Sequence, residues 1–170
     1  MKPTPEQLRN ALKILLAQLE FWEFCIFYDS EFFIKRPFLK QVADAFQQIY
    51  EGKIKTLSVS MPPRAGKSYI TSLFAAWNLG NRPTESVMRN TCTSTLYDTF
   101  TYNTRNIVRS ENFTTVFPNS RISPNRQNIG GWNMEASKQV GYFGAGVGGT
   151  IIGFGASGVA ITDDLYKSMG

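Results

Sequence analysis

Residues Thr56 to Ser68 constrain this chain more than any other stretch. The alternation Leu57, Val59, Met61 runs straight into Pro62-Pro63-Arg64-Ala65-Gly66-Lys67-Ser68, and a helical pattern follows. Strand, Gly-Lys-Ser and helix in that order form the layout of a phosphate-binding loop. Backbone N–H groups and a lysine surround the phosphates there, and a hydroxyl binds Mg²⁺. Gly66 lets the backbone come close. Lys67 is a compact, mobile cation for the β- and γ-phosphates. Ser68 is the hydroxyl for the metal, and the helix starting near Gly66 adds a favourable dipole. The loop departs from the usual Gly-x-x-x-x-Gly-Lys-Ser/Thr pattern. Met61 holds the place of the first glycine, and Pro62 and Pro63 carry no N–H. Fewer donors must do the cradling, and Arg64 can supply the missing positive charge.

A second feature answers the first. Gly158-Val-Ala-Ile-Thr162 reads as a short apolar strand ending at Asp163-Asp164. A hydrophobic strand ending in two carboxylates can hold Mg²⁺ through the first, Asp163, and orient or deprotonate an attacking water through the second, Asp164. Acidic residues also cap helices, and Asp164 can cap one beginning near Tyr166. Both roles can coexist.

Elsewhere the pattern alternates helix with strand. Residues 5–28 read as one helix, with leucines 8, 12, 15, 16 and 19 at helical spacing, Thr4 as cap and Pro5 in the first turn. The aromatic run Phe21, Trp22, Phe24, Phe27, Tyr28 reads as core, with a partner surface as the other reading. A second helix spans Phe38 to Tyr50 and stops at Gly52. Ser68–Leu79 is the helix after the loop, Ser86–Thr93 a strand, and Ser94–Val108 a helix. Turns are expected at Phe117–Ser120 and Ser123–Asn125, and a hairpin at Gln139–Thr150 around Gly144 to Gly146. This order predicts an α/β fold of the P-loop NTPase type: a central, mostly parallel sheet flanked by helices. Residues 1–52 form an N-terminal helical segment packed on an ATPase core of residues 53–170.

Composition closes off several chemistries. The chain has no histidine, so histidine triads and histidine acid–base catalysis are excluded. Two cysteines, Cys25 and Cys92, argue against a disulfide framework or a zinc site. The apolar stretch from Leu8 to Tyr28 carries Arg9, Lys13, Glu20 and Glu23, which a bilayer span tolerates poorly, so no membrane partner is expected. The formal charge of +5 suits a nucleic-acid partner without demanding one.

In combination, these residues resemble the ATPase domain of tailed-phage large terminases, the motors that package DNA. Pro-Pro-Arg-x-Gly-Lys-Ser at 62–68 looks like that family's variant of the Walker A loop. Ser110-Glu-Asn-Phe-Thr-Thr-Val-Phe-Pro118 resembles its serine, aromatic and Phe-Pro segment. Gly146-Val-Gly-Gly-Thr-Ile-Ile-Gly-Phe-Gly155 resembles its glycine-rich approach to Walker B, and Ile161-Thr-Asp-Asp-Leu-Tyr-Lys167 resembles the end of that strand. The similarity runs from about residue 37 to 168.

The resemblance implies ATP and Mg²⁺ as cofactors. ATP would be held by Pro63, Arg64, Ala65, Gly66, Lys67 and Ser68, the metal by Ser68 and Asp163, and catalysis would rest on Asp164, Arg64 and Lys67. It implies adenine recognition upstream of the loop, where Gln41 lies and Phe38 could stack or serve the core. It implies double-stranded DNA, a portal and a small terminase subunit as partners, a homo-oligomeric ring, and work in the bacterial host cytoplasm, transiently at the procapsid portal. Some relatives carry a trans-acting arginine before the glycine of the glycine-rich approach. Ile152 stands there, leaving Arg105, Arg109, Arg121 and Arg126 as candidates beside their reading as a solvated basic face. Leu165 replaces a frequent proline, and Asp164 a frequent glutamate. The coupling strand and nuclease carboxylates of full terminases are absent, so nuclease activity is not expected and the chain reads as truncated after Walker B.

Two other functions remain open on the residues. A P-loop phosphotransferase would show acceptor-dependent rather than DNA-stimulated turnover. A non-catalytic terminase-like interaction module would tolerate Lys67→Ala.

Overall fold

The computed structural model describes residues 3–128, 130–146 and 155–163, with backbone alone for 126–128. Helix α1 (Pro5–Leu19) starts at a reciprocal cap: the Gln7 N–H donates to the Thr4 hydroxyl, and the Gln7 side chain accepts from the Thr4 N–H. The single helix expected over 5–28 is two. At Glu20 the backbone is extended (φ −117°, ψ 119°), and α2 (Phe21–Tyr28) begins directly after it. A side chain from elsewhere stabilises the break. Gln47 accepts from the Phe21 N–H at 2.9 Å and donates to the Leu19 carbonyl at 3.1 Å, satisfying groups that a continuous helix would have paired internally. Helical periodicity could not reveal a partner from a later helix.

The short α3 (Ser30–Ile34) is capped by Asp29, and α4 (Leu39–Tyr50) follows. The aromatic run of α2 joins the core: Phe21 and Phe24 are fully buried, and Trp22, Phe27 and Tyr28 half-buried. The leucines of α1 face solvent instead. Leu8, Leu12, Leu15 and Leu19 are each at least half exposed, and Ala17 is the buried residue of that helix. Among the described residues, no helix is long and apolar enough to cross a membrane.

Helix α5 (Lys67–Asn81) is the axis of the molecule. Every residue from Ile70 to Gly80 is buried. It packs against α2, α4, α6 (Ser94–Arg109) and two strands of the sheet. Ser110 caps the short α7 (Glu111–Val116), accepting from the Phe113 N–H. One hydrophobic cluster runs from Ala17 to Tyr142 and includes the N-terminal helices.

The strands are β1 (Val87–Thr91), β2 (Ile122–Asn128), β3 (Gly131–Met134), β4 (Tyr142–Phe143) and β5 (Val159–Asp163). They form a five-stranded mixed sheet in the order β2-β3-β4-β1-β5. Both neighbours of β1 are parallel to it, whereas β2–β3 and β3–β4 are antiparallel. Among the described residues the architecture is therefore α/β with a mixed, partly parallel sheet.

Three further expectations fail. Residues 57–61 form no strand: among the described residues they join no ladder. The side-chain alternation is present, with Leu57, Val59 and Met61 half-buried and Thr56, Ser58 and Ser60 exposed. The hydrogen-bonded neighbour is missing. A groove of about 870 Å³ separates this segment from β5, the edge strand. The turn expected at Ser123–Asn125 lies within β2 despite Pro124, because β2 is the opposite edge, where a missing N–H is tolerated. The described part of Gln139–Thr150 is not a hairpin about Gly144. The antiparallel pair is β3–β4, and the chain then continues beside β1. Thr91 donates its N–H to the Ala145 carbonyl at 3.1 Å, and Thr91 bridges Gly146 in parallel. Gly144 serves close approach rather than a turn, since a Cβ there would lie 1.8 Å from the Arg89 carbonyl oxygen. Residues 147–150 lie outside the described residues.

Candidate phosphate-binding site

The loop expected to hold phosphate takes a left-handed course at two points. Gly66 is the N-cap of α5 at φ 104°, and Arg64 reaches φ 62° without being glycine. A Cβ on Gly66 would come within 3.0 Å of the Phe32 ring and 3.4 Å of Leu39. Glycine is thus required there twice over, by dihedral and by contact. No side chain caps α5, so the first-turn N–H groups of a fifteen-residue helix are directed at whatever occupies the loop. A cavity of about 550 Å³ lies over it, lined by Met61, Pro62, Pro63, Arg64, Gly66, Lys67 and Ser68, with Phe32 and Tyr69 as its aromatic wall. Phe32 and Tyr69 meet edge to face at 4.9 Å, and the Tyr69 hydroxyl donates to Asp29 at 3.1 Å. These contacts tie the start of α5 to α3.

The sheet brings the second half of the site to the first. In the β1–β5 register, Thr91 stands opposite Asp163 and Arg89 opposite Ile161. Alternate residues share a face, so Asp163 lies diagonally from Arg89 on the face that covers α5. Lys67 Nζ lies 3.1 Å from Asp163 Oδ1. Arg89 donates to Asp163 Oδ2 at 2.7 Å and to the Ser72 hydroxyl at 2.8 Å, and its guanidinium lies 3.8 Å from the centre of the Phe100 ring. Ser72 in turn donates to the Ser68 carbonyl at 2.8 Å. One carboxylate thus sits between two cations and is joined through them to the loop.

Burial pushes the Asp163 carboxyl up, but hydrogen bonding and charge from Arg89, and then from Lys67, outweigh it and hold the group below the ordinary value. The folded state therefore favours the ionised form. The resulting stability is complete above the ordinary aspartate value of 3.8 and is lost as pH falls through the lowered one. The melting temperature of the wild type is expected to drop more steeply below about pH 4 than that of Asp163→Asn. Parallel curves in an acid titration of both proteins would remove this assignment.

The residues present fit a magnesium ion of the kind that phosphate brings with it. Among the described residues there is no cluster of three or more His, Cys, Asp or Glu, so no all-protein cage exists. Mg²⁺ is commonly held by one or two carboxylates, waters and substrate phosphates. Asp163, and the Ser68 hydroxyl at the head of α5, are donors of that type.

Other expected site residues fall elsewhere. Gln41 is exposed on α4, Phe38 is 53% exposed before it, and neither lines the two cavities that Lys67 lines. Arg109 and Arg121 are exposed and Arg105 half-buried, and none of the three lines those cavities either. Asp164, Ile152 and Leu165 lie outside the described residues, as does the Arg126 side chain. Arg89 was not anticipated. A lone cation at the centre of the mixed strand Val87–Thr91 is the available signal, because a buried charge demands a partner. Phe32 offered none, being one of thirteen phenylalanines. Comparison with protein-family models, curated proteins and solved structures gave no match.

Proposed function

We propose that this chain is the ATPase domain of a DNA-packaging motor of the large-terminase type, with a P-loop NTPase fold. The observation that carries the reading is the 3.1 Å approach of Lys67 Nζ to Asp163 Oδ1. A Gly-Lys-Ser loop and an acidic strand end, far apart in the chain, meet at one point beside a helix N-terminus. That is the arrangement needed to hold a polyphosphate and its metal. The groove and loop cavity meet at Lys67, which lines both.

In this reading Lys67 and Arg89 share the Asp163 carboxylate. Lys67 neutralises Asp163 until a triphosphate arrives, then turns to the β- and γ-phosphates while the α5 N–H groups bind their oxygens. Arg64, exposed in the loop, adds positive charge at the phosphate rim where Pro62 and Pro63 lack N–H donors. A magnesium ion at Ser68 and Asp163 would neutralise developing charge on the transferred phosphoryl group. Asp164, next in the chain, would orient the water that attacks the γ-phosphorus as the bond to ADP breaks. Translocation of double-stranded DNA, assembly into a ring, and engagement of portal and small terminase subunit belong to the same proposal. The net charge of +5 supports a phosphate-backbone partner.

The test is nucleotide affinity and turnover. Lys67→Ala removes a charge-assisted hydrogen bond, a loss of about 10- to 100-fold in ATP affinity. ATP hydrolysis should fall with it and, in the wild type, rise with linear duplex in a salt-sensitive manner. Equal ATP affinity in the variant would sink the phosphate-site reading. Turnover that responds to a small acceptor and ignores DNA would replace the motor with a phosphotransferase.

A further inference from the structure

We propose that Arg89 is the positioning residue of this site: by holding one oxygen of Asp163 permanently, it lets Lys67 release the other and move to phosphate. The inference rests on the nucleotide reading above and concerns a residue which that reading does not need.

The two cations on Asp163 differ in their freedom. The Arg89 side chain is fully buried and held on three sides: by Asp163 on β5, by Ser72 on α5, and by the Phe100 ring on α6. Its two terminal nitrogens are divided between the two oxygen partners, Nη1 to Ser72 and Nη2 to Asp163. The Lys67 side chain is 28% exposed and borders both cavities. Asp163 itself is only 5% exposed. If Lys67 were its sole counter-charge, the departure of Lys67 would leave a buried carboxylate bare, a strongly unfavourable state. With Arg89 fixed on Oδ2, Lys67 leaves Oδ1 at much lower cost, and Oδ1 becomes available while the carboxylate plane stays in register. The Arg89–Ser72–Ser68 chain of hydrogen bonds extends the same restraint to the loop residue that bears the candidate metal hydroxyl.

The consequence is specific to metal-free binding. Without Arg89, ATP in the absence of Mg²⁺ must pull Lys67 away from an otherwise uncompensated Asp163. In the presence of Mg²⁺ the ion supplies the counter-charge. Calorimetric titration of the intact chain with ATP, in excess EDTA and in Mg²⁺, reads both. Arg89→Met should lower affinity in EDTA about tenfold or more and change it less than about threefold in Mg²⁺. Arg89→Lys should restore most of the EDTA affinity. In an Asp163→Asn background, where no carboxylate needs neutralising, Arg89→Met should leave the EDTA-to-Mg²⁺ ratio unchanged. Should Arg89→Met not fold, Arg89→Gln retains an N–H donor on a shorter side chain without the charge, and the same ratio is read.

A folded variant whose two affinities fall equally, or not at all, would reduce Arg89 to a structural core residue and overturn the proposal while leaving the nucleotide site intact. A wild-type chain that binds no ATP in either buffer would overturn both.

Discussion

Asp163→Ala is expected to destabilise the fold by about 3–5 kcal/mol, well beyond what loss of a small side chain implies. The carboxylate is 5% exposed and faces a guanidinium that is fully buried. Removing it strands Arg89 in a fully buried position with Ser72 as its remaining hydrogen-bond partner named above. An unpaired buried charge of this kind costs more than its ion pair contributed. Asp163→Asn keeps an acceptor for Arg89 and should cost less than half as much. Urea unfolding followed by circular dichroism at neutral pH measures both. Equal unfolding free energies for the alanine variant and wild type would mean that the carboxylate is not the counter-charge of Arg89. This would also weaken the proposed site, because the same carboxylate meets Arg89 through Oδ2 and Lys67 through Oδ1. The stability measurement thus probes the site without any ligand.

Trp77→Ala should cost about 3–5 kcal/mol, the range for deletion of a large aromatic from a packed core. Its ring is fully buried, 4.5 Å from that of Tyr50 and 5.6 Å from that of Phe21, and its indole N–H donates to the Ala17 carbonyl at 2.9 Å. The substitution opens a void among α1, α2, α4 and α5 and leaves a buried carbonyl unpaired. Because α5 begins at the Gly66 loop at its other end, the N-terminal helices and that loop should lose structure together, in one unfolding transition. Leu12→Ala is the control: that leucine is 55% exposed, and its removal should stay within about 0.5 kcal/mol. Similar losses for Trp77→Ala and Leu12→Ala would contradict the packing described for α5.

Much of this was legible in the residues. Helices at 39–50, 67–81 and 94–109 and strands at 87–91 and 159–163 match the periods and caps that announce them. Misreadings arose where one signal serves two purposes. Glycines at 144 and 146 carry the signal of turn chemistry, but they admit close contact with β1 and the residues after it. The alternation at 57–61 has the period of a strand. Alternation describes which side chains are covered, whereas a strand also needs a neighbouring backbone, and among the described residues none pairs with it. The break at Glu20 depends on Gln47, which no local rule would consult.

The site divides along the same line. Gly66, Lys67, Ser68 and Asp163 could be named from short-range order, since a glycine turn, a cation, a hydroxyl and an acidic strand end each have a recognisable local pattern. Their convergence, and the insertion of Arg89 between β5 and α5, came from strand register and helix packing. Local sequence governs dihedrals and which faces are apolar. Which charge meets which is settled when β1 and β5 align in parallel over α5, for only then does the diagonal between two strands place a guanidinium within 2.7 Å of a carboxylate.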